Sequence, residues 1–152
     1  MGHHIQGVIG RASIAARIGR DFSGAQVVPL AKDLFWVPTP EWLLDAMAAS
    51  TRDVEQRAPI TGEHVYLDFA ARYLERITAR DVAMYFETEY FGGVGSQSAA
   101  VYRDGMLVLD AGHESDGGAI NARLVLLGVH PEHGLDAFDT VGLQHHRHMP
   151  DA

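Results

Sequence analysis

Hydrophobic and polar positions alternate and cluster in a way that names most of the elements. The run His4-Ile5-Gln6-Gly7-Val8-Ile9, closed by Gly10, predicts a first strand. Ile14 and Ile18, four residues apart, predict a helix over residues 11–18 that Gly19 ends as a C-cap. Two extended pieces follow at 25–30 and 34–37, separated by the polar turn Lys32-Asp33. Pro29 has no amide hydrogen to give to a ladder, so it belongs at a sheet edge or a bulge. Thr39-Pro40-Glu41 opens the next helix, with Thr39 as N-cap, Pro40 at the first helical position and an acid where the helix dipole favours one. That helix turns Leu43, Leu44 and Met47 inward. Residues 49–62 are polar and interrupted by Pro59, which predicts a loop or a short helical turn. A longer helix is expected over 63–79, where Leu67, Ala70, Leu74 and Ile77 recur at helical spacing beside the stripe Tyr66, Phe69 and Tyr73.

From Asp81 the period changes from 3.6 to 2. Val82, Met84 and Phe86 alternate with Ala83, Tyr85 and Glu87, as in a strand with two distinct faces. A glycine-rich turn, Gly92-Gly93-Val94-Gly95, leads to a strand over 97–103, and Asp104-Gly105 joins that strand to another over 106–110. Both residues of this connection tolerate positive φ, as a two-residue hairpin requires. A helix over 119–127 carries Ile120, Leu124 and Leu127 on one side and ends at Gly128, and a brief amphipathic piece spans 135–141. Together these elements predict an α+β two-layer sandwich: a mixed sheet of about five strands with a C-terminal antiparallel meander, and three to four helices mainly on one face. The chain reads as a single domain over 1–152, with 144–152 a flexible His-rich tail.

Composition narrows the chemistry. With 152 residues, 47% of them hydrophobic, the chain can bury an ordinary core without metal or disulfide. No cysteine is present, which removes thiol catalysis, Cys-ligated zinc and iron–sulfur clusters. No apolar run approaches the roughly 18 residues of a membrane span, and the first ten residues lack the features of a signal peptide, so a cytoplasmic location is expected. Residues 1–60 balance six basic groups against six acids, whereas fourteen acids face six arginines beyond residue 60 and supply all of the net charge of −8. Nucleic acid and anionic membranes demand a basic footprint, so neither is expected as a partner. An acidic half suits a basic protein.

Glu87 and Glu89 stand two apart on a predicted strand and share a face with Tyr85. Paired acids serve acid/base hydrolysis or bind a hard cation, and with Tyr90, Phe91, Gly92 and Gly93 alongside they form the preferred interaction cluster. Asp110, Glu114 and Asp116 extend the acidic surface. The glycine turn is followed by a strand-like run and has no Lys-Ser/Thr pair, so it reads as a hairpin and not as a phosphate loop. Nine histidines include the i,i+3 pairs His130/His133 and His145/His148, and His113 beside Glu114, but the His-Glu-x-x-His spacing is absent. Gly95-Ser96-Gln97-Ser98-Ala99 misses the last glycine of a nucleophile elbow.

The start Gly2-His3-His4-Ile5-Gln6-Gly7-Val8-Ile9 and the centre Glu87-Thr88-Glu89-Tyr90-Phe91-Gly92-Gly93-Val94-Gly95-Ser96-Gln97 resemble segments of small uncharacterised bacterial proteins of nearly this length. The resemblance implies a bacterial single-domain protein, attaches no activity and transfers no functional residue. Two functional readings follow from the residues. The first is a non-enzymatic cytosolic binding protein of the immunity or antitoxin type, needing no cofactor, whose acidic surface (Tyr85, Glu87, Glu89, Tyr90, Phe91, Gly92, Gly93, Asp110, Glu114, Asp116) occludes a basic protein partner. The alternative is a small metal- or ligand-binding, hydrolase-like enzyme using Glu87, Glu89 and a histidine such as His113. A homo-oligomer built on the edge-strand candidate at 27–30 is a third possibility.

Overall fold

A computed structural model of the chain describes residues 3–51, 65–91, 94–114 and 118–150. Within these, the order of elements is β1 (His3–Gly10), α1 (Ala12–Asp21), β2 (Val28–Pro29), β3 (Phe35–Pro38), α2 (Glu41–Ser50), α3 (Val65–Ile77), β4 (Val82–Phe91), β5 (Val94–Arg103), β6 (Met106–Glu114), α4 (Gly118–Leu126) and α5 (Ala137–Val141), followed by a short 3-10 turn at Leu143–His145. The strands form one open sheet in the order β2-β3-β1-β4-β5-β6. The fold is therefore α+β, as the change of hydrophobic period implies.

Two finer features depart from the expected mixed sheet of about five strands with helices on one side. Six strands are present and every neighbouring pair is antiparallel. Helices also cover both faces. On one, α1, α2 and α3 bury Ile14, Ile18, Leu43, Leu44, Met47 and Leu74 against Val8, Val37, Ala83 and Tyr85. On the other, α4 and α5 bury Ile120, Leu124, Ala137 and Val141 against Ile5, Ile9, Met84, Phe86 and Val101. The cause is legible in β4, where both members of the alternation are apolar: Ala83 and Tyr85 face one layer of helices, Met84 and Phe86 the other. A strand apolar on both sides requires cover on both, and each fully buried large side chain contributes about 1.5–3 kcal/mol.

Local chemistry sets the boundaries. Asp104 and Gly105 both adopt positive φ, 53° and 78°, and make the tight β5–β6 turn expected of Asp-Gly. Its amides bond to Asp81 O and Thr78 O, so the hairpin tip is seated on the α3–β4 junction. Gly19 does not end α1, which continues to Asp21. There the Asp21 carboxylate accepts from Arg17 Nε at 2.9 Å and from the Tyr73 hydroxyl at 2.8 Å, tying the last turn to α3. Burial, together with that bond to Asp21, raises the Tyr73 phenol well above its usual pKa. Thr39 is not the N-cap of α2 either. Pro40 takes that place, with its carbonyl accepting from the amides of Leu43 and Leu44. Thr39 is instead fully buried, and its amide reaches Gln6 O at 3.3 Å. The shortness of β2 and the presence of Pro29 at the sheet margin match the edge position read from that proline.

Candidate functional site

The site is built on the half of the sheet where β1 begins and β4 ends. Antiparallel register places Gln6 of β1 opposite Glu87 of β4, Glu87 opposite Ser98 of β5, and Ser98 opposite His113 of β6. Four polar residues from four strands thus stand in one cross-strand row. In a sheet, such neighbours lie about 4.8 Å apart in the pairing direction. The next row toward the sheet end pairs His4 with Glu89, and Glu89 with Ser96.

The first row continues the face covered by α1, α2 and α3, since Val8, Tyr85 and Ala100, each two residues away, belong to that core. Tyr85 is fully buried, and its hydroxyl donates to Glu87 Oε1 at 3.2 Å. It is therefore not available as an exposed anchor for a partner; it orients the partly buried carboxylate beside it. Gln6 is 8% exposed and donates through Nε2 to Thr39 O at 2.7 Å. Ser98 is 0% exposed and its Oγ has no hydrogen-bond partner among the described residues. A buried hydroxyl of this kind costs stability, so its presence calls for a reason. Thr88, pointing the other way, contrasts with it: its Oγ1 accepts from Ile5 N at 3.0 Å and donates to Ile5 O at 3.3 Å.

Beside this row lies a cleft of about 280 Å³ lined by His4, Gln6, Pro40, Glu41 and Met149. It forms because β3 pairs with β1 only from Gly7 to Gly10 and then departs into α2. Gln6 belongs to both the cleft and the row. Residues 146–149, expected as part of a flexible tail, run alongside β1 at this place. His4 N donates to Arg147 O at 2.8 Å, His4 and His148 form a parallel bridge, and the His146 ring lies 5.5 Å from that of Trp36.

The remaining predicted residues are spread along the meander. Glu89, Tyr90 and Phe91 occupy the end of β4, with Tyr90 opposite His3 and Gly95, and Phe91 opposite Val94. Asp110 and Glu114 lie on β6 at the sheet margin, Glu114 opposite Gln97. Gly92, Gly93 and Asp116 lie outside the described residues. β5 begins at Val94, so a strand follows these glycines in the chain as the sequence implies. His130 and His133 are exposed in the connection before α5, and among the described residues no group of three or more His, Asp and Glu is placed to hold a metal ion. No described helix is long and apolar enough to cross a membrane.

Sequence reasoning singled out Glu87 and His113 but not the Gln6 and Ser98 that complete their row. The available signal was a glutamine within an otherwise apolar first strand and a serine one strand from the acids; only the register of β1 and β5 on β4 connects them. Comparison with known protein families, curated proteins and solved structures gives no match.

Proposed function

We propose that the chain binds a small hydroxyl- or amine-bearing molecule on the sheet face formed by Gln6, Glu87 and Ser98, with the cleft at His4 and Glu41 as its approach. The observation that supports this best is the fully buried Ser98 Oγ, in register with Glu87 and without a hydrogen-bond partner among the described residues. A hydroxyl can donate and accept, and an ionised carboxylate accepts only, so the pair selects ligands that bring a donor and a second polar group. Tyr85 holds the Glu87 carboxylate in place through its hydroxyl, which supports the ligand-binding alternative over an outward acidic patch centred on the same residues. Hydrolysis is the natural extension, because a carboxylate positioned by a buried phenol is suited to taking a proton from a bound nucleophile.

The test is a thermal-shift screen with amino acids, polyamines, monosaccharides and nucleosides, repeated on Glu87→Gln and Ser98→Ala. One chemical class raising Tm in the wild type, and losing that effect in both variants, supports the reading. Absence of a shift for all four classes, or an equal shift in the variants, refutes it.

The acidic docking reading keeps one specific support: β6, which carries Asp110 and Glu114, is the outermost strand of the sheet. Its expected signature is capture of a basic protein in the cytoplasm, with association that slows as salt is added. Association indifferent to ionic strength removes it.

A further inference from the structure

The segment His146–Met149 fills the place beside β1 that β3 vacates. One backbone bond joins it to β1, from His4 N to Arg147 O at 2.8 Å. One ring contact joins it to β3, His146 against Trp36 at 5.5 Å with the planes inclined at 57°. Met149 packs against the core on the α4–α5 side and also lines the cleft. Among the described residues, the titratable groups that flank His146 on its own segment and on β1 are bases. Its own segment supplies His145, Arg147 and His148, and β1 supplies His4, while β3 presents no charged residue between Phe35 and Pro38. Glu41, across the cleft, is the acid among the described residues that line it.

We infer that this C-terminal segment is a strap over the cleft that is released in acid, with His146 as the group whose protonation undocks it. Docking holds the imidazole partly buried against an indole, where a neutral ring is accommodated and a charged one loses hydration. The neighbouring His145 adds like-charge repulsion to a charged His146. Burial, and then the neighbouring His145, lower the His146 pKa from its ordinary value. A histidine whose docked pKa is depressed takes up a proton more readily when released. The strap is therefore held firmly above the free-histidine value near pH 6.5, and its hold weakens as the pH falls below it through the docked value. Each unit of depression makes release about tenfold easier once the solution is acidic enough to protonate both forms. This device is independent of which molecule the cleft admits.

The experiment is hydrogen–deuterium exchange of the full chain at pH 8, 7, 6 and 5, corrected for the intrinsic pH dependence of exchange, with far-UV circular dichroism recorded alongside. Peptides covering residues 143–150 and the start of β1 should exchange faster at pH 5 than at pH 8, while those of β4 and β5 do not change. His146→Phe keeps an aromatic ring on Trp36 and removes the titration, so its strap should stay protected at all four values; His145→Ala should retain the transition. Corrected exchange that is flat with pH in the wild type overturns the inference. So does an identical acid response in His146→Phe, or loss of the strap only together with the whole circular dichroism signal.

Discussion

At the scale of single residues, Gly7 shows how tightly backbone and ring meet at the centre of the sheet. Its φ is +154°, and a Cβ there would sit 2.3 Å from Val37 O and 2.5 Å from Trp36 Nε1. The indole at this position donates to Gln6 O at 3.1 Å, so it cannot retreat without giving up that bond. Gly7→Ala should therefore destabilise the chain by about 2–3 kcal/mol, read as a lower midpoint in urea with an unchanged slope. Ser98 predicts the opposite sign. Because its buried Oγ has no partner among the described residues, Ser98→Ala removes an unmet hydrogen-bonding group and should leave stability unchanged or raise it by up to about 1 kcal/mol. A loss of more than that in equilibrium unfolding would mean that the hydroxyl is satisfied in solution. Gain of stability with loss of ligand response is the pattern expected of a group kept for binding.

At the scale of elements, the parts read correctly from sequence are those whose signal is local. Asp104-Gly105 demands positive φ at two successive residues and few dipeptides supply it, so the hairpin and its strands could be read directly. Gly105→Ala isolates this backbone cost, since a Cβ there would come no nearer than 3.4 Å to Glu75 O. About 1–2 kcal/mol of destabilisation is expected, measured by thermal or chemical unfolding. Asp136, whose carboxylate caps α5 by accepting from Asp139 N at 2.8 Å, carries an equally local signal that the sequence reading did not single out. Gly19 and Thr39 were misleading because tertiary contacts override cap propensity. Asp21 is held by Arg17 and Tyr73 beyond the glycine, and Thr39 is drawn under β1 through the Gln6 carbonyl. The polar row was not legible for a further reason: strand pairing is non-local, and nothing within β1 alone announces that Gln6 will face Glu87.

At the scale of the whole molecule, the sheet is a shared wall between two apolar layers. Leu44 and Phe86 lie in different layers but both rest on strands β1 and β4 or on their immediate neighbours. Leu44→Ala should cost about 2–5 kcal/mol and Phe86→Ala about 3–5 kcal/mol. Both should shift one common transition, seen by tryptophan fluorescence and circular dichroism together, because neither layer has a sheet of its own. Two separate transitions would show that the layers unfold independently. The α+β class was recoverable from sequence because the period changes visibly at Asp81. The second helical layer had its signal in β4, whose alternating residues are apolar on both faces, and the expectation of helices mainly on one face overlooked it.

The bridge between His4 and His148 has a consequence for topology. Residues far apart in sequence run side by side in the same direction at this point, so a peptide linking residue 150 to residue 3 and closing the backbone into a ring would have to turn back along the pair, a crossover of about a dozen residues. The exposed connection around Gly134 then offers a place to reopen it. In such a permuted chain, β1 and the strap would be joined covalently as parts of one loop, and what is now an approach between distant stretches of sequence would become a neighbouring one.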